Sequence, residues 1–348
     1  MEDKINLRKT YKSYALTAAA FLGSGVVLRL LASLLFRQLA SPEVYENWNV
    51  TFSFINDLVF LYLVSFGLFL FLNRKAEKVT PEQNKITVGK FLLYVLILFG
   101  INGFGVSIGS FVNNLVVKMI GAGAQSASAA QSMALNSSVI LRMLVFGLVA
   151  PFVEEVVFRK VLIDRTLKYG EWCAIFVSAF MYALFQGGFS LFFYALLMGG
   201  LLAYIYIRTG KAWVVIALHM IMNIFNYVLT FFMQKFAHTD ALSEIERLSE
   251  EYLNTGDEAL KVQAEALSTQ IHSDLIVYTV WSYVIGGICI VGMIVWIVLL
   301  IRKKFKLEYT ENEVYKGQRI AMGNIGMLVY IVCAIALFVI NYMRVSMG

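Results

Sequence analysis

Long apolar runs alternate with short polar segments along the whole chain. A helix needs about 20 mostly apolar residues to cross a bilayer, and nine runs approach or exceed that length. The predicted spans are residues 14–36, 52–72, 91–117, 138–158, 172–186, 189–207, 212–233, 275–301 and 320–341. The fifth and sixth are short and barely separated by Gln186-Gly187-Gly188, so the count is eight to nine. The pattern predicts an all-α polytopic membrane protein.

Composition agrees with this interpretation. The 348 residues are 59% hydrophobic and 15% charged, whereas soluble domains are about a quarter charged. The three cysteines lie in apolar runs, without a CxxC or Cys/His metal pattern, so we expect no disulfides. Residues 1–13 are polar and basic, and no small-residue cleavage site follows the first run, so we expect that run to stay as an anchor. Nothing indicates a nucleic-acid partner.

The basic residues predict an orientation. Cytoplasmic loops of membrane proteins carry an excess of Lys and Arg. With the N-terminus in the cytoplasm, 21 of the 29 Lys and Arg residues fall in inside segments, Arg159, Lys160, Arg165 and Lys168 among them. We therefore expect a cytoplasmic N-terminus in what is, by interpretation, a bacterial cell membrane. The oligomeric state is not set by the sequence.

Four parts follow from this layout. They are N-terminal membrane helices over 1–137, a core bundle over 138–233, an acidic insertion over 234–274 and C-terminal membrane helices over 275–348. The small, polar segment 121–137 is predicted to be an external loop. The insertion is predicted to be an extracytoplasmic helical hairpin, broken near Asn254-Thr255-Gly256, and a gate or partner site is the alternative.

Two adjacent carboxylates lie inside the fourth span. Glu154 and Glu155 follow Pro151, and Arg159 is four residues after Glu155 on the same helix face. An ionisable residue at bilayer depth costs about 3 kcal/mol on insertion scales and is by default a functional-site hypothesis. Pairing with Arg159 would offset part of that cost for Glu155 and leave Glu154 free to act as a general base. A purely structural ion pair is the alternative.

A histidine enters the membrane from the same predicted side. His219 and Asn223 share one face of the seventh span, and His219 lies about 10 Å from Ala212 at ~1.5 Å per residue. This depth matches that of Glu154. The other two histidines, His238 and His272, fall in the acidic insertion. A structural histidine is the alternative, and Gln186, beside two glycines, could equally be a turn residue.

Together these pieces resemble the CPBP (CAAX protease and bacteriocin-processing, Abi) family of intramembrane peptidases. The motifs stand as Glu154-Glu155-Val-Val-Phe-Arg159 and His219-Met-Ile-Met-Asn223, and the resemblance covers about residues 138–230. The family's middle motif, aromatic-x-x-x-His, reads Tyr182-Ala-Leu-Phe-Gln186, with glutamine in place of histidine. Glutamine neither accepts a proton at neutral pH nor matches imidazole as a metal ligand.

The resemblance implies peptide-bond hydrolysis within or beside the membrane. Glu154 would activate water, Glu155 would support it with Arg159, and Gln186 would help to hold the water. His219 and Asn223 would stabilise the oxyanion. No cofactor is certain; a weakly bound divalent metal such as zinc stays open, with Glu154 and His219 as candidate ligands. The substrate would be a lipidated or membrane-associated protein or a peptide precursor, reaching a cytoplasm-facing cavity.

Two other functions remain open. A catalytically impaired pseudoprotease could act as a membrane scaffold if Gln186 abolishes turnover. A proton-coupled transporter could use the acids and His219 as a relay, although no repeated halves are visible. For a peptidase, the side chains of Glu154, Gln186, His219 and Asn223 should converge. We expect the fifth span to begin after Trp172, or to be broken, so that Gln186 reaches the required depth.

Overall fold

The computed structural model describes residues 2–120, 139–308, 310 and 313–347, and these ranges contain helices but no strand. The helices, in chain order, are α1 Glu2–Leu39, α2 Pro42–Asn73, α3 Val88–Ile120, α4 (residues 139–166), α5 Glu171–Phe185, α6 Phe189–Thr209, α7 Ala212–Phe236, α8 Thr239–Thr255, α9 Glu258–Ile301, α10 Gly317–Met322 and α11 Ile325–Met347. This confirms the predicted all-α membrane fold.

Seven helices of the described ranges are long and apolar enough to cross a membrane, namely α1, α2, α3, α6, α7, α9 and α11. Helix α5 is apolar but has only 15 residues, and α4 is interrupted by π-helical turns. Each predicted span overlaps a helix, but the number that cross the bilayer stays a prediction. Residue 138 and the predicted loop 121–137 lie outside the described residues.

Helix α4 lies at the centre of the bundle, against α7, α5 and α1, while α3 packs between α6 and α9. Glycines set the closest of these crossings, because small residues let helix backbones approach in a membrane. A Cβ on Gly292 of α9 would lie 2.1 Å from the Leu96 carbonyl oxygen of α3. A Cβ on Gly109 of α3 would lie 2.2 Å from the Ser190 carbonyl oxygen of α6. Side chains larger than glycine do not fit at either crossing.

Two π-helical turns flank the paired glutamates. Met143–Val149 and Val156–Val161 enclose the α-helical turn Ala150–Glu155. Pro151 has no N–H, and its ring would clash with the carbonyl four residues earlier. The wider turn before it relieves the clash, but the missing N–H still leaves a carbonyl without its helical partner. π-turns inside α-helices often mark functional sites.

Helix α4 also runs further than the sequence predicted. The helix continues past residue 158 to Thr166, and both Asp164 and Arg165 are buried. The predicted end of this helix at residue 158 was therefore wrong. Tyr206 donates to Asp164 Oδ1 at 2.6 Å and Lys160 pairs with its other oxygen at 2.7 Å, which explains why a carboxylate can be buried here.

The expectation for the fifth span was wrong as well. Helix α5 begins at Glu171, before Trp172, and runs unbroken to Phe185. Gly170, with φ of 124°, ends the preceding turn, and no glycine or proline occurs within the helix to break it.

A strap, residues 74–87, lies across the helix ends next to Asp164 and Thr209. The Val79 N–H donates to the Asp164 carbonyl at 2.5 Å, and the Asn84 N–H donates to the Thr209 carbonyl at 3.0 Å. Gly210, with φ of 60°, lies so close that a Cβ there would be 2.6 Å from the carbonyl oxygens of Pro81 and Glu82. The strap thus ties α4 and α6 together at one end of the bundle.

A helical hairpin, α8 and the first part of α9, projects beyond the opposite end of α7. The chain turns at Gly256, and the limit that we set at residue 274 falls inside the continuous helix α9. Leu248, Ala264 and Ile271 form its small buried seam. On its surface Arg247 donates to Glu244 at 2.7 and 2.9 Å, and these bonds lower the pKa of that carboxyl.

Candidate active site

The centre of the site is a buried carboxylate between an arginine and a histidine. Glu155 Oε1 lies 3.1 Å from Arg159 Nη1 and 2.8 Å from His219 Nδ1. Glu155 and Arg159 are 0% exposed and His219 is 1% exposed. The predicted Glu155–Arg159 pair is therefore present, and His219 from α7 joins it. Because a buried charge without a partner is costly, this arrangement fixes all three side chains.

Glu154 has a different environment from its neighbour. Its Oε2 lies 3.8 Å from His219 Nε2, which is longer than a hydrogen bond. It keeps 7% of its surface exposed, so the carboxylate reaches the edge of the buried cluster. Glu154 is thus the acid of the pair that no arginine neutralises directly.

Tyr182 of α5 completes the cluster. Its hydroxyl lies 3.2 Å from His219 Nε2 and approaches the Glu154 carboxylate. The Arg159 guanidinium carbon lies 4.5 Å from the centre of the Tyr182 ring, a cation–π contact. Arg159, Glu155, His219 and Tyr182 therefore form a closed ring of contacts drawn from α4, α5 and α7.

Asn223 lies one turn beyond His219 on α7. Its amide donates at 2.8 Å to the carbonyl oxygen of Phe146, in the first π-turn of α4. A π-turn leaves carbonyls without their usual helical partner, and Asn223 supplies one. Among the described residues it makes no hydrogen bond to Glu154, Glu155 or His219.

Gln186 lies one turn beyond Tyr182, at the end of α5. Its amide nitrogen is buried and has no hydrogen-bond partner in the described part of the chain. Residues four apart share a helix face, so Gln186 and Tyr182 face the same side. The predicted convergence is thus seen for Glu154 and His219, whereas Asn223 and Gln186 make no hydrogen bond to either in the described part of the chain.

The side chains present do not match a zinc site of the usual kind. Catalytic zinc takes three protein ligands and one open position. No group of three or more His, Cys, Asp or Glu side chains in the described ranges is arranged to hold a metal. Glu154 and His219 provide two candidate ligands, and Glu155 is committed to Arg159 and His219. We derive no step through a metal.

Tyr182 is the site residue that the sequence did not single out. A tyrosine in an apolar helix has no special pattern, and its role depends on the rotation of α5 against α7. One signal was available. Tyr182 is the first residue of the aromatic-x-x-x-Gln186 motif, and unlike phenylalanine it carries a hydroxyl group.

The fold and site define a polytopic membrane protein with a buried carboxylate–histidine cluster between its helices. Residues 136–225 match the family model described as type II CAAX prenyl endopeptidase Rce1-like. The described part of that range contains Glu154, Tyr182 and His219. This match confirms, for residues 136–225, the resemblance that the motifs indicated.

A curated relative points the same way. The chain is 25% identical over 183 residues to a Bacillus subtilis (strain 168) protein named "Putative membrane peptidase YdiL", covering 52% of this chain and 70% of the relative. No solved structure matches. The two matches support a membrane protease of the CAAX type in general.

Proposed function

We propose that the protein is an intramembrane endopeptidase in which Glu154 activates water. One observation carries this proposal: Glu155 is bound to both Arg159 and His219, whereas Glu154, beside it, has no such partner and reaches the edge of the cluster. A carboxylate held in place but not neutralised is suited to accept a proton. The buried Glu155 and Arg159 then keep His219 in position.

The reaction follows from these positions. Glu154 takes one proton from a water molecule while the water oxygen attacks the peptide carbonyl carbon. The resulting oxyanion is stabilised by hydrogen-bond donors, each worth about 3 kcal/mol when preorganised. The C–N bond then breaks as Glu154 returns the proton to the leaving nitrogen, which yields a carboxylic acid and an amine. By resemblance, His219 and Asn223 are the candidate oxyanion donors, and Gln186 helps to hold the water.

The substrate is a peptide or protein segment at the membrane. A lipidated protein or a membrane-associated peptide precursor fits the family resemblance, and the segment enters through a cavity that faces the cytoplasm. We place the N-terminus and the strap on that side and the α8–α9 hairpin outside, in a bacterial cell membrane. The positive-inside pattern supports this orientation.

Cleavage by the purified protein in nanodiscs tests the proposal. Glu154→Gln, which preserves shape but removes the base, should lower cleavage of a fluorogenic peptide library by about 100-fold or more. Glu246→Gln, on the exposed surface of the hairpin, is the matched control and should leave cleavage unchanged. Equal activity of Glu154→Gln and the parent chain contradicts the proposal.

A pseudoprotease is the second candidate, favoured by the glutamine at position 186 and its unpaired buried amide. Under that function the parent chain cleaves nothing, while Gln186→His gains activity. If no form cleaves and the reconstituted protein moves a solute in response to a pH gradient, both functions are wrong and the transporter alternative stands.

A further inference from the structure

The two residues that the resemblance makes oxyanion donors both hydrogen-bond to other groups in this structure. A carboxylate only accepts hydrogen bonds, so His219 Nδ1, 2.8 Å from Glu155 Oε1, carries the ring hydrogen. In the neutral imidazole, Nε2 is then an acceptor and cannot donate to an oxyanion. One of the two Asn223 amide hydrogens is donated to the Phe146 carbonyl at 2.8 Å, and among the described residues this amide makes no hydrogen bond to Glu154 or His219.

The Tyr182 hydroxyl is a hydrogen-bond donor that lies beside Glu154. Its hydroxyl lies between His219 Nε2, at 3.2 Å, and the Glu154 carboxylate, which it approaches. Because the ring nitrogen accepts, the hydroxyl donates. Rotation about the C–O bond redirects this hydrogen without movement of the oxygen atom. An oxyanion formed beside Glu154 can therefore replace Nε2 as its acceptor.

The surroundings of Tyr182 hold the ring and strengthen the donor. The Arg159 guanidinium on the ring face draws electron density from the ring, and a hydroxyl on such a ring is a stronger hydrogen-bond donor. Phe158 packs edge-on against the ring at 5.6 Å between centroids. On the other side, a Cβ on Gly199 of α6 would lie 3.0 Å from Tyr182 Cδ1, so glycine leaves the ring just enough space.

We propose that Tyr182 is a catalytic residue whose hydroxyl donates the hydrogen bond that stabilises the oxyanion. The proton stays on the tyrosine throughout; only its acceptor changes, from His219 Nε2 to the carbonyl oxygen and back. This inference rests on the proposed peptidase function and names the donor that the reaction needs.

Tyr182→Phe tests the donor, because it removes the hydroxyl and keeps the ring. Loss of one oxyanion donor costs about 100- to 1,000-fold in kcat, with little change in KM. Tyr330→Phe is the matched control: Tyr330 is also buried, and its hydroxyl donates to the carbonyl of Met181, next to Tyr182. It should keep kcat within about twofold, because the one hydrogen bond that the described structure gives its hydroxyl goes to a backbone carbonyl and not to the cluster.

A second pair of variants tests the position of the ring without touching the hydroxyl. Gly199→Ala crowds the Tyr182 ring at 3.0 Å, and also Ala179 and Arg159 at 3.1 and 3.4 Å, and should lower kcat. A Cβ on Gly200 meets nothing closer than 4.0 Å, so Gly200→Ala should not. If Tyr182→Phe and Gly199→Ala both keep full kcat while Glu154→Gln is inactive, the peptidase function stands and the role of Tyr182 is wrong.

The tautomer of His219 provides a readout that does not depend on cleavage. The chain has three histidines, so His238→Gln and His272→Gln leave His219 as the one source of ¹⁵N-histidine signals in micelles. We expect the hydrogen on Nδ1, and a shift of the Nε2 resonance on Tyr182→Phe. A hydrogen on Nε2 in the parent chain would overturn the proposal, because His219 would then have its own donor. A parent chain that cleaves nothing overturns the peptidase function itself, and the inference with it.

Discussion

At the scale of single residues, the two glutamates differ because of what lies across from them. Glu155 meets Arg159 along its own helix and His219 from α7, while Glu154 lies 3.8 Å from the far nitrogen of His219 and beside the Tyr182 hydroxyl. A buried pair of this kind adds little net stability, but removing one partner leaves a buried charge unpaired. The pair therefore fixes geometry more than it stabilises the fold.

Removal of Arg159 should show this directly. Arg159→Met leaves Glu155 buried without its arginine and should cost about 3–5 kcal/mol in unfolding free energy. Glu155→Gln combined with Arg159→Met removes both charges and should recover most of that loss, without recovery of cleavage. Thermal unfolding in detergent and peptide cleavage measure the two effects.

The control for this comparison is an exposed ion pair. Arg247→Met breaks the surface contacts with Glu244 and Glu251 on the hairpin and should change stability by less than about 0.5 kcal/mol. If the double variant Glu155→Gln/Arg159→Met is no more stable than Arg159→Met alone, the loss of stability does not come from the unpaired charge of Glu155.

The sequence located much of this site but not its details. Glu154, Glu155, Arg159 and His219 were found because charge and imidazole are rare in apolar spans. The partner of Asn223 could not be predicted, since the π-turn that frees the Phe146 carbonyl depends on tertiary packing around Pro151. Tyr182 was missed for the same kind of reason: contacts between helices depend on their rotation.

At the scale of elements, length and hydropathy predicted the helices well, and their ends poorly. Helix α4 extends to Thr166 because Asp164 and Arg165 find partners on α6 and α2, so charged residues there do not end the helix. Helix α5 begins at Glu171 because its side chain meets Arg208 of α6. Such partners are distant in sequence, and a window of hydropathy does not reveal them.

The glycine crossings of α3 are a testable property of the elements. Gly292→Leu places a side chain against the backbone of α3 and should cost about 1–3 kcal/mol, as overpacking does. Gly287→Leu on the same helix meets nothing within 4 Å and should be neutral or slightly stabilising, since leucine favours helix over glycine by roughly 1 kcal/mol. Thermal unfolding compares the two, and equal shifts would contradict the close crossing.

At the scale of the whole molecule, the strap connects parts that the sequence treated as separate. Residues 74–87 belong to the N-terminal part by sequence, yet their backbone bonds to α4 and to the end of α6. A polar loop carries no signal of where it docks, so this closure could not be predicted. The orientation of the bundle in the membrane remains a prediction from the charge pattern.

A substitution at Gly210 tests how the strap is held against the bundle. Gly210→Ala and Gly256→Ala both force alanine into the left-handed region, at a cost of about 1–2 kcal/mol. Only at Gly210 does the new Cβ also press on Pro81 and Glu82. We expect faster tryptic cleavage after Lys78 and Lys85 in Gly210→Ala than in Gly256→Ala. Equal rates in the two variants would mean that the strap does not depend on this contact.

The buried charges of α4 also bear on the order in which the helices enter the membrane. This helix brings Glu154, Glu155, Arg159, Asp164 and Arg165 toward a bilayer that would reject them singly. Arg165 finds its hydrogen-bond partner in Asn73, at the end of α2, and Tyr14 of α1 donates to the Val157 carbonyl at 2.7 Å. Both helices leave the ribosome before α4 does. Synthesis from the N-terminus therefore presents α4 with a docking surface already in the membrane. Residues 136–225 inserted alone would contain the partners of Glu155 and Asp164 but would lack Asn73, which binds Arg165.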